Sequence, residues 1–448
     1  MTLMGTKSIL NRLTSPKDPS SLIFFRMAFG LLMFASTLRF VIYGWVTDLL
    51  LQPNFHFSYF GFRFVETPPE SILWMLFIIM AMAALALFYG FKTRLSAFAF
   101  FLCFTWVELM EKAMYLNHYY LVSLIAFLFI ILPTHVSHSL NSITQRKTIH
   151  ATPNWVYVFL RLQVALVYFY AGFAKLNSDW LLYAEPLYTW LQNYLHWPVI
   201  GTLLNRIETA YLMSWAGAVF DLTIWLFLWW PKTRNGAYAL CIFFHFTVWC
   251  LFPIGVFSWV MMLAATLFFA PNWPRHLFKA LPPSHQGPNA TRHFPKALQL
   301  FCSLWLVFQL LFPLRYLLYP GPVNWTEEGF RFSWRVMLTE KTGKIEYRVQ
   351  SNKIQNTVRI YPRQRLEPFQ YRMLCTQWDM MLEYAHHLKN ELQKEGHQNI
   401  QIYADAFVSL NGRASQRAVD PRIDLTAVPI NTWQHAKWIL PLEQENPR

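Results

Sequence analysis

At 448 residues the chain is long enough for a large membrane domain and one further soluble domain. Hydrophobic residues make up 55% of it and charged residues only 14%, against roughly a quarter charged in a soluble domain, which excludes a wholly soluble fold. The net charge of +14 would suit nucleic acid or anionic lipid. No basic run stands on a polar scaffold, however, so the excess reads as the loop bias of a membrane protein, and no nucleic-acid partner is expected.

The first 20 residues are polar and basic and lack a cleavable apolar core, so they read as a cytoplasmic N-terminal segment. Apolar runs then follow near 21–44, 72–91, 95–111, 115–135, 154–176, 209–230, 235–253, 255–271 and 296–319. Spanning a bilayer takes about 20 such residues, so these predict about nine transmembrane helices, the run at 255–271 being short, tilted or partly re-entrant. Basic residues sort by side. With the N-terminus inside, the inner segments carry Lys7, Arg12, Lys17, Lys92, Arg94, Arg146, Lys147, Lys232, Arg234, Arg275, Lys279, Arg292 and Lys296. The outer short loops carry only Arg63, Lys112 and Arg206. That bias sets orientation and places residues 320–448 on the exoplasmic side.

After residue 319 the pattern changes. Glu346–Gln350, Thr357–Tyr361 and Ile400–Leu410 alternate like strands, and Asn411-Gly412 marks a turn. Residues 372–394 read as one amphipathic helix. The prediction is an α-helical polytopic membrane domain over 21–319 with an exoplasmic, strand-rich α+β domain over 320–448. The five cysteines, Cys103, Cys241, Cys250, Cys302 and Cys375, are too scattered for a disulfide framework or a zinc site.

Polar residues inside membrane helices are costly and so become functional candidates. Lys175 falls at the outer end of the fifth run, and Asn117 and His118 open the fourth. Asp221 lies in the sixth and His245 near the middle of the seventh. Three of Lys175, His118, His245 and Asp221 could line one outward-facing cavity. Each also has a plainer reading: Lys175 as a snorkelling helix end, Asn117 and His118 as interfacial hydrogen-bonding groups, His245 as a satisfied core histidine. A haem held by His118 and His245 lacks a second histidine pair and an attachment motif. No metal site is expected.

The segments around these residues resemble one family. Tyr168–Trp180, YFYAGFAKLNSDW, is similar to the hallmark stretch of vitamin K-dependent γ-glutamyl carboxylases. FFRMAFGLLM (24–33), LNHYYL (116–121), FFHFTVWCLFPIGVFSWVMM (243–262), FAPNWPR (269–275), NWTEEGFRFSWRVML (324–338) and YADAFVSLNGRASQRAVDPRIDL (403–425) follow the family pattern in order. The resemblance implies that Lys175 is the base that deprotonates reduced vitamin K and that His118 serves the oxygenation half of the reaction. It places Asn117 and His245 beside the quinone. It also implies O2 and CO2 as co-substrates, membrane lipid around the helices, and a Glu-containing protein or peptide as acceptor. Oxygenating the hydroquinone provides a base strong enough for a glutamyl γ-proton, which no side chain can remove. A lysine can take the first, milder proton only as neutral amine, and Phe173, Leu176 and Trp180 are suited to a dry setting for it.

Some positions depart from the pattern. Ala174-Lys175 stands where animal members have two lysines, and His386-His387 falls about where their bridging cysteine does, so that disulfide is not expected. The stretch after Ser333-Trp334 is shorter than theirs and lacks its histidines. The leading expectation is a carboxylase with coupled epoxidase activity. The alternatives are a quinone epoxidase without carboxylation and a non-enzymatic membrane protein on the same scaffold.

Overall fold

The structure is a computed structural model that describes residues 11–133, 149–278, 284–285, 294–431, 433–443 and 446–447. Lys7, Arg146, Lys147, Lys279 and Arg292 of the predicted inner loops, and the end of the run at 115–135, lie outside these residues.

Each predicted apolar run forms a helix: α1 Ser20–Ile42, α2 Glu70–Tyr89, α3 Thr93–Met110, α4 Asn117–Ile131, α5 Asn154–Ala174, α6 Ile207–Trp229, α7 Arg234–Leu251, α8 Phe257–Ala265 and α9 Lys296–Leu311. Among the described residues six of the helices are long and apolar enough to cross a membrane, the last counted through Leu318, while Asn117–Ile131 and Phe257–Phe268 are shorter. Local chemistry sets the ends. Pro69 precedes α2, and Gly90, at φ 72°, closes it in the left-handed conformation that glycine adopts without cost. Pro313 replaces the α-helical ladder after α9 by a 3₁₀ turn over Phe312–Leu318.

Small residues bring the helices together. A side chain at Gly30 would meet the backbone of α2 at Phe88 N, 2.6 Å away. One at Gly172 would meet Leu222 N of α6 at 2.6 Å. The connections gather at two ends. At one, Pro16–Lys17 pairs with Thr152–Pro153, Ser21 N donates to Pro271 O, and Arg275 bonds Asp18 at 2.7 Å. At the other, the loops after α1, α3 and α5 meet the C-terminal region.

That region carries one antiparallel sheet, β1 Lys341–Ser351, β2 Ile354–Ile360, β3 Gln401–Leu410 and β4 Gln416–Arg417, in the order β2-β1-β3-β4. β1 and β3 run in register from Lys341↔Leu410 to Gln350↔Gln401. Their alternate residues, Ile345, Tyr347 and Val349 with Ile402, Ala404, Ala406 and Val408, are buried in the same core as Met381, Tyr384 and Leu388. The predicted alternation is therefore real. The single helix expected over 372–394 is not. It is α10 Pro368–Leu374 and α11 Trp378–Lys394, separated where Gln377 turns extended and accepts from Arg331 at 2.7 Å. Amphipathic spacing continues through that break, so periodicity alone joins the two.

The loops after α1 and α3 are built into this core. Phe57 and Ala113 belong to the same apolar cluster as Trp325 and Trp378. Lys112, buried, bonds Glu383 at 2.8 Å and Asp379 at 3.0 Å. Arg331 bonds Asp379 at 2.7 Å. Burial opposes the Asp379 charge, but Arg331 and Lys112 outweigh it and hold the carboxyl well below the usual carboxylate range. Further along, Arg413 grips Asp179 through both carboxylate oxygens, at 2.6 and 2.8 Å, and Asn411 adds a third bond at 2.8 Å. Asn411 and Gly412 both have positive φ, so the predicted turn exists and its tip reaches the segment just after Lys175.

Candidate functional site

Lys175 is the C-terminal cap of α5, where the helix dipole favours a cation. Its Nζ donates to Asp221 Oδ2 of α6 at 2.8 Å and to Ala171 O at 3.1 Å, and lies 5.2 Å from the centre of the Trp180 ring. Lys175 and Asp221 are 5% and 6% exposed, so the pair is dry. The close approach at Gly172 makes it possible, because it sets the α5 backbone directly against Asp221 and Leu222. Of the apolar neighbours expected from sequence only Trp180 closes on the lysine. Phe173 and Leu176 are exposed on the outside of the bundle.

The pair faces a cavity of about 80 Å3. Tyr168, His245, Phe244 and Phe257 line it with Met213 and Met261. Val336 and Met337, from the segment that enters the C-terminal region, complete the wall. This segment is strained: Phe332, Trp334 and Met337 all have φ between 54° and 59°, at a cost of roughly 1–2 kcal/mol each for a side chain with a Cβ. Tyr115 and Asn117 tie it down. The Tyr115 hydroxyl accepts from Phe332 N at 2.6 Å and donates to Asn117 Oδ1 at 3.0 Å, while Asn117 Nδ2 donates to Arg335 O at 3.0 Å.

His245 is in the cavity wall with its Nε2 2.9 Å from the Tyr168 hydroxyl, which also meets Cys241 Sγ at 3.3 Å. Its Nδ1 is buried and has no hydrogen-bond partner among the described residues. His118, also buried, is not part of this wall. It stands behind Phe257, whose ring lies 5.9 Å from the His118 ring and 6.1 Å from the His245 ring. Of the four polar positions singled out in the sequence, Lys175, Asp221 and His245 thus share the cavity, and one aromatic ring separates His118 from it. Sequence reasoning missed Tyr168. Its spacing of seven from Lys175 puts both on one face of α5, but a tyrosine in an aromatic-rich helix gives no distinguishing mark.

Chemically, this is a water-poor chamber with a lysine–carboxylate pair at the C-terminal end of α5 and, two turns back along α5, Tyr168 paired with His245 of α7. Such an arrangement can move a proton to or from an apolar molecule carrying polar groups. The fold and site define a multi-pass membrane protein whose buried lysine–aspartate pair lies beneath a segment leading into a strand-containing C-terminal region. Residues 14–273 match the HTTM domain family, and residues 294–445 match the lumenal domain of vitamin K-dependent gamma-carboxylase. The chain belongs to the vitamin K-dependent γ-carboxylase family. No solved structure matches it.

Proposed function

We propose that this protein oxygenates vitamin K hydroquinone to the 2,3-epoxide and couples that reaction to carboxylation of protein glutamyl residues. The observation that carries the reading is the dry Lys175–Asp221 pair on an apolar cavity, in a chain that matches an HTTM domain followed by the lumenal domain of vitamin K-dependent gamma-carboxylase. The cavity suits an apolar ring with polar groups at its edges. Its walls are aromatic and aliphatic, and its polar groups are Lys175 with Asp221 and Tyr168 with His245. It is smaller than the roughly 300 Å3 at which ligand sites begin. Met213, Met261 and Met337 are the wall residues that yield most easily.

When bound, the reduced quinone with O2 supplies the strong base, and CO2 the new carboxyl group. The residues of this chain do the rest. Lys175 takes the first proton. An ammonium beside a carboxylate and an amine beside a carboxylic acid are two forms of one hydrogen bond, so Asp221 can hold the proton that Lys175 must lose before it acts. Trp180, Phe244 and Phe257 exclude water that would quench the reaction. Tyr168 fixes the His245 ring, and His245 orients the far edge of the quinone. His118 acts on the oxygenation step from behind Phe257, and Asn117 holds the roof over the quinone.

In this reading nine helices cross the membrane, with the N-terminus cytoplasmic and the C-terminal domain exoplasmic. The gathering of the loops at two ends supports it. A cysteine at exposed Val358 should react with an impermeant maleimide in intact cells; reaction only after permeabilisation would reverse the orientation.

The test of function uses purified protein in detergent with vitamin K hydroquinone, O2, labelled bicarbonate and a Glu-containing peptide, beside Lys175→Ala. Epoxide together with label in the peptide is expected from the unaltered protein alone. Epoxide without label would leave the oxygenation and remove the carboxylation, an outcome that the short stretch after Trp334 favours. Equal activity in Lys175→Ala would end the assignment of the base.

A further inference from the structure

We propose that Arg39 and His118 form a binding site for a small carboxylate-type anion, one aromatic ring away from the lysine cavity. Arg39 lies near the outer end of α1, half-buried within the apolar bundle. Its guanidinium meets the Tyr119 hydroxyl and lies 5.4 Å from the centre of the Trp45 ring. Among the described residues it has no ion pair with a carboxylate, and its Nε is buried without a hydrogen-bond partner. A cation held this way inside an apolar domain is costly until an anion joins it.

His118 supplies the second group. It is 4% exposed, and its Nε2 has no hydrogen-bond partner among the described residues. The two side chains converge on one point. A Cβ built on Gly255 would sit 3.6 Å from Arg39 Nη2 and 3.6 Å from His118 Nε2, with His118 Cε1 farther off at 3.9 Å. Gly255 has φ +60°, a conformation that disfavours any side chain, so no side chain of residue 255 stands between them. An oxygen held between the two side chains, in van der Waals contact with Gly255 and about 2.8 Å from each nitrogen, would bond both. Guanidinium geometry matches a planar carboxylate, and a neutral imidazole N–H adds a further donor.

Phe257 forms the partition between this point and the cavity of Lys175, since it touches both His118 and His245. Rotation of that ring would join the two spaces. Under the proposed function, on which only the naming of the ligands rests, two carboxylate-type molecules arrive here. One is bicarbonate, the hydrated form of CO2. The other is the γ-carboxylate of a glutamyl side chain.

Binding is read without turnover, from the thermal midpoint of the purified protein in detergent at constant ionic strength. Sodium bicarbonate, a Glu-containing peptide and the same peptide with Gln for Glu are compared against chloride. The expected result is a saturable rise with bicarbonate, with the Glu peptide over its Gln form, or with both, at millimolar concentration or below. Bicarbonate alone identifies the CO2-derived ligand, and the Glu peptide alone identifies the acceptor. Arg39→Met should abolish the rise, and Arg39→Lys should weaken binding about tenfold. Gly255→Ala, which fills the meeting point while leaving both side chains, should weaken it as well. No anion-specific rise in the unaltered protein overturns the proposal, and so does a rise that survives in both Arg39→Met and Gly255→Ala. Should Arg39→Met fail to fold, the unaltered protein and Gly255→Ala decide. Anion binding without any quinone turnover would keep this site and discard the activity.

Discussion

Asp221→Asn tests whether Lys175 and Asp221 work as one unit. The two groups meet at 2.8 Å in a site where each is nearly inaccessible to solvent. Removing one member of a buried pair costs about 3–5 kcal/mol. A lone lysine can escape by shedding its proton, which at pH 7 costs at most about 4.6 kcal/mol from a reference value near 10.4. The asparagine oxygen still accepts one hydrogen bond, recovering about 1 kcal/mol. The expected loss is therefore about 3 kcal/mol. Lys175→Met strands the carboxylate instead, and protonating that at pH 7 costs at most about 4.2 kcal/mol from a reference near 3.9. The double variant strands neither charge, and replacing a buried pair by apolar or neutral groups is often close to neutral. With about 3 kcal/mol or more lost in each single variant and little in the double one, a double-mutant cycle on reversible unfolding in detergent should give a coupling of about 6 kcal/mol. Single losses that add to within about 0.5 kcal/mol would show two independent residues and refute the shared-proton argument.

Three other outcomes follow from the geometry. Gly172→Ala puts a Cβ 2.6 Å from Leu222 N, so α5 and α6 must separate; it should cost about 1–3 kcal/mol and lower quinone turnover, and a variant with unchanged melting and turnover would contradict this. Arg413→Ala removes the ion-pair partner of the Asp179 carboxylate and leaves it the Asn411 amide; a loss of about 3 kcal/mol should appear as faster proteolysis within residues 320–448, with only partial recovery in Arg413→Lys because a lysine lacks the two-pronged grip. Asp379 titrates below the ordinary carboxylate range when folded. Its contribution to docking is therefore complete above the unfolded value near 3.9 and is lost only as pH falls through the lower folded value. Hydrogen exchange in α11 should be insensitive to this group between pH 7 and about pH 5, and loosening by pH 6 that Asp379→Asn abolishes would contradict it.

Much of the architecture is legible in the chain itself. A bilayer demands long apolar runs and penalises every polar exception, so both the helices and the candidates Lys175, Asp221 and His245 stand out one by one. Strand alternation records which side of a sheet is buried, and β1 and β3 show that alternation in their burial. Partnership is another matter. That Lys175 meets Asp221, 46 positions away, follows from how closely α5 and α6 pack at Gly172. That the Asn117 amide is used on Arg335, 218 positions away, follows from where the strained segment lies. His118 is set behind Phe257 rather than in the chamber by the rotation of α4 against α8. Periodicity tells a helix which face to bury and leaves open what that face will meet. The sequence determined a membrane protein of this family and named its costly polar residues. Only the tertiary structure decided which of them share a cavity, because helix crossing and rotation depend on the packing of all the helices together.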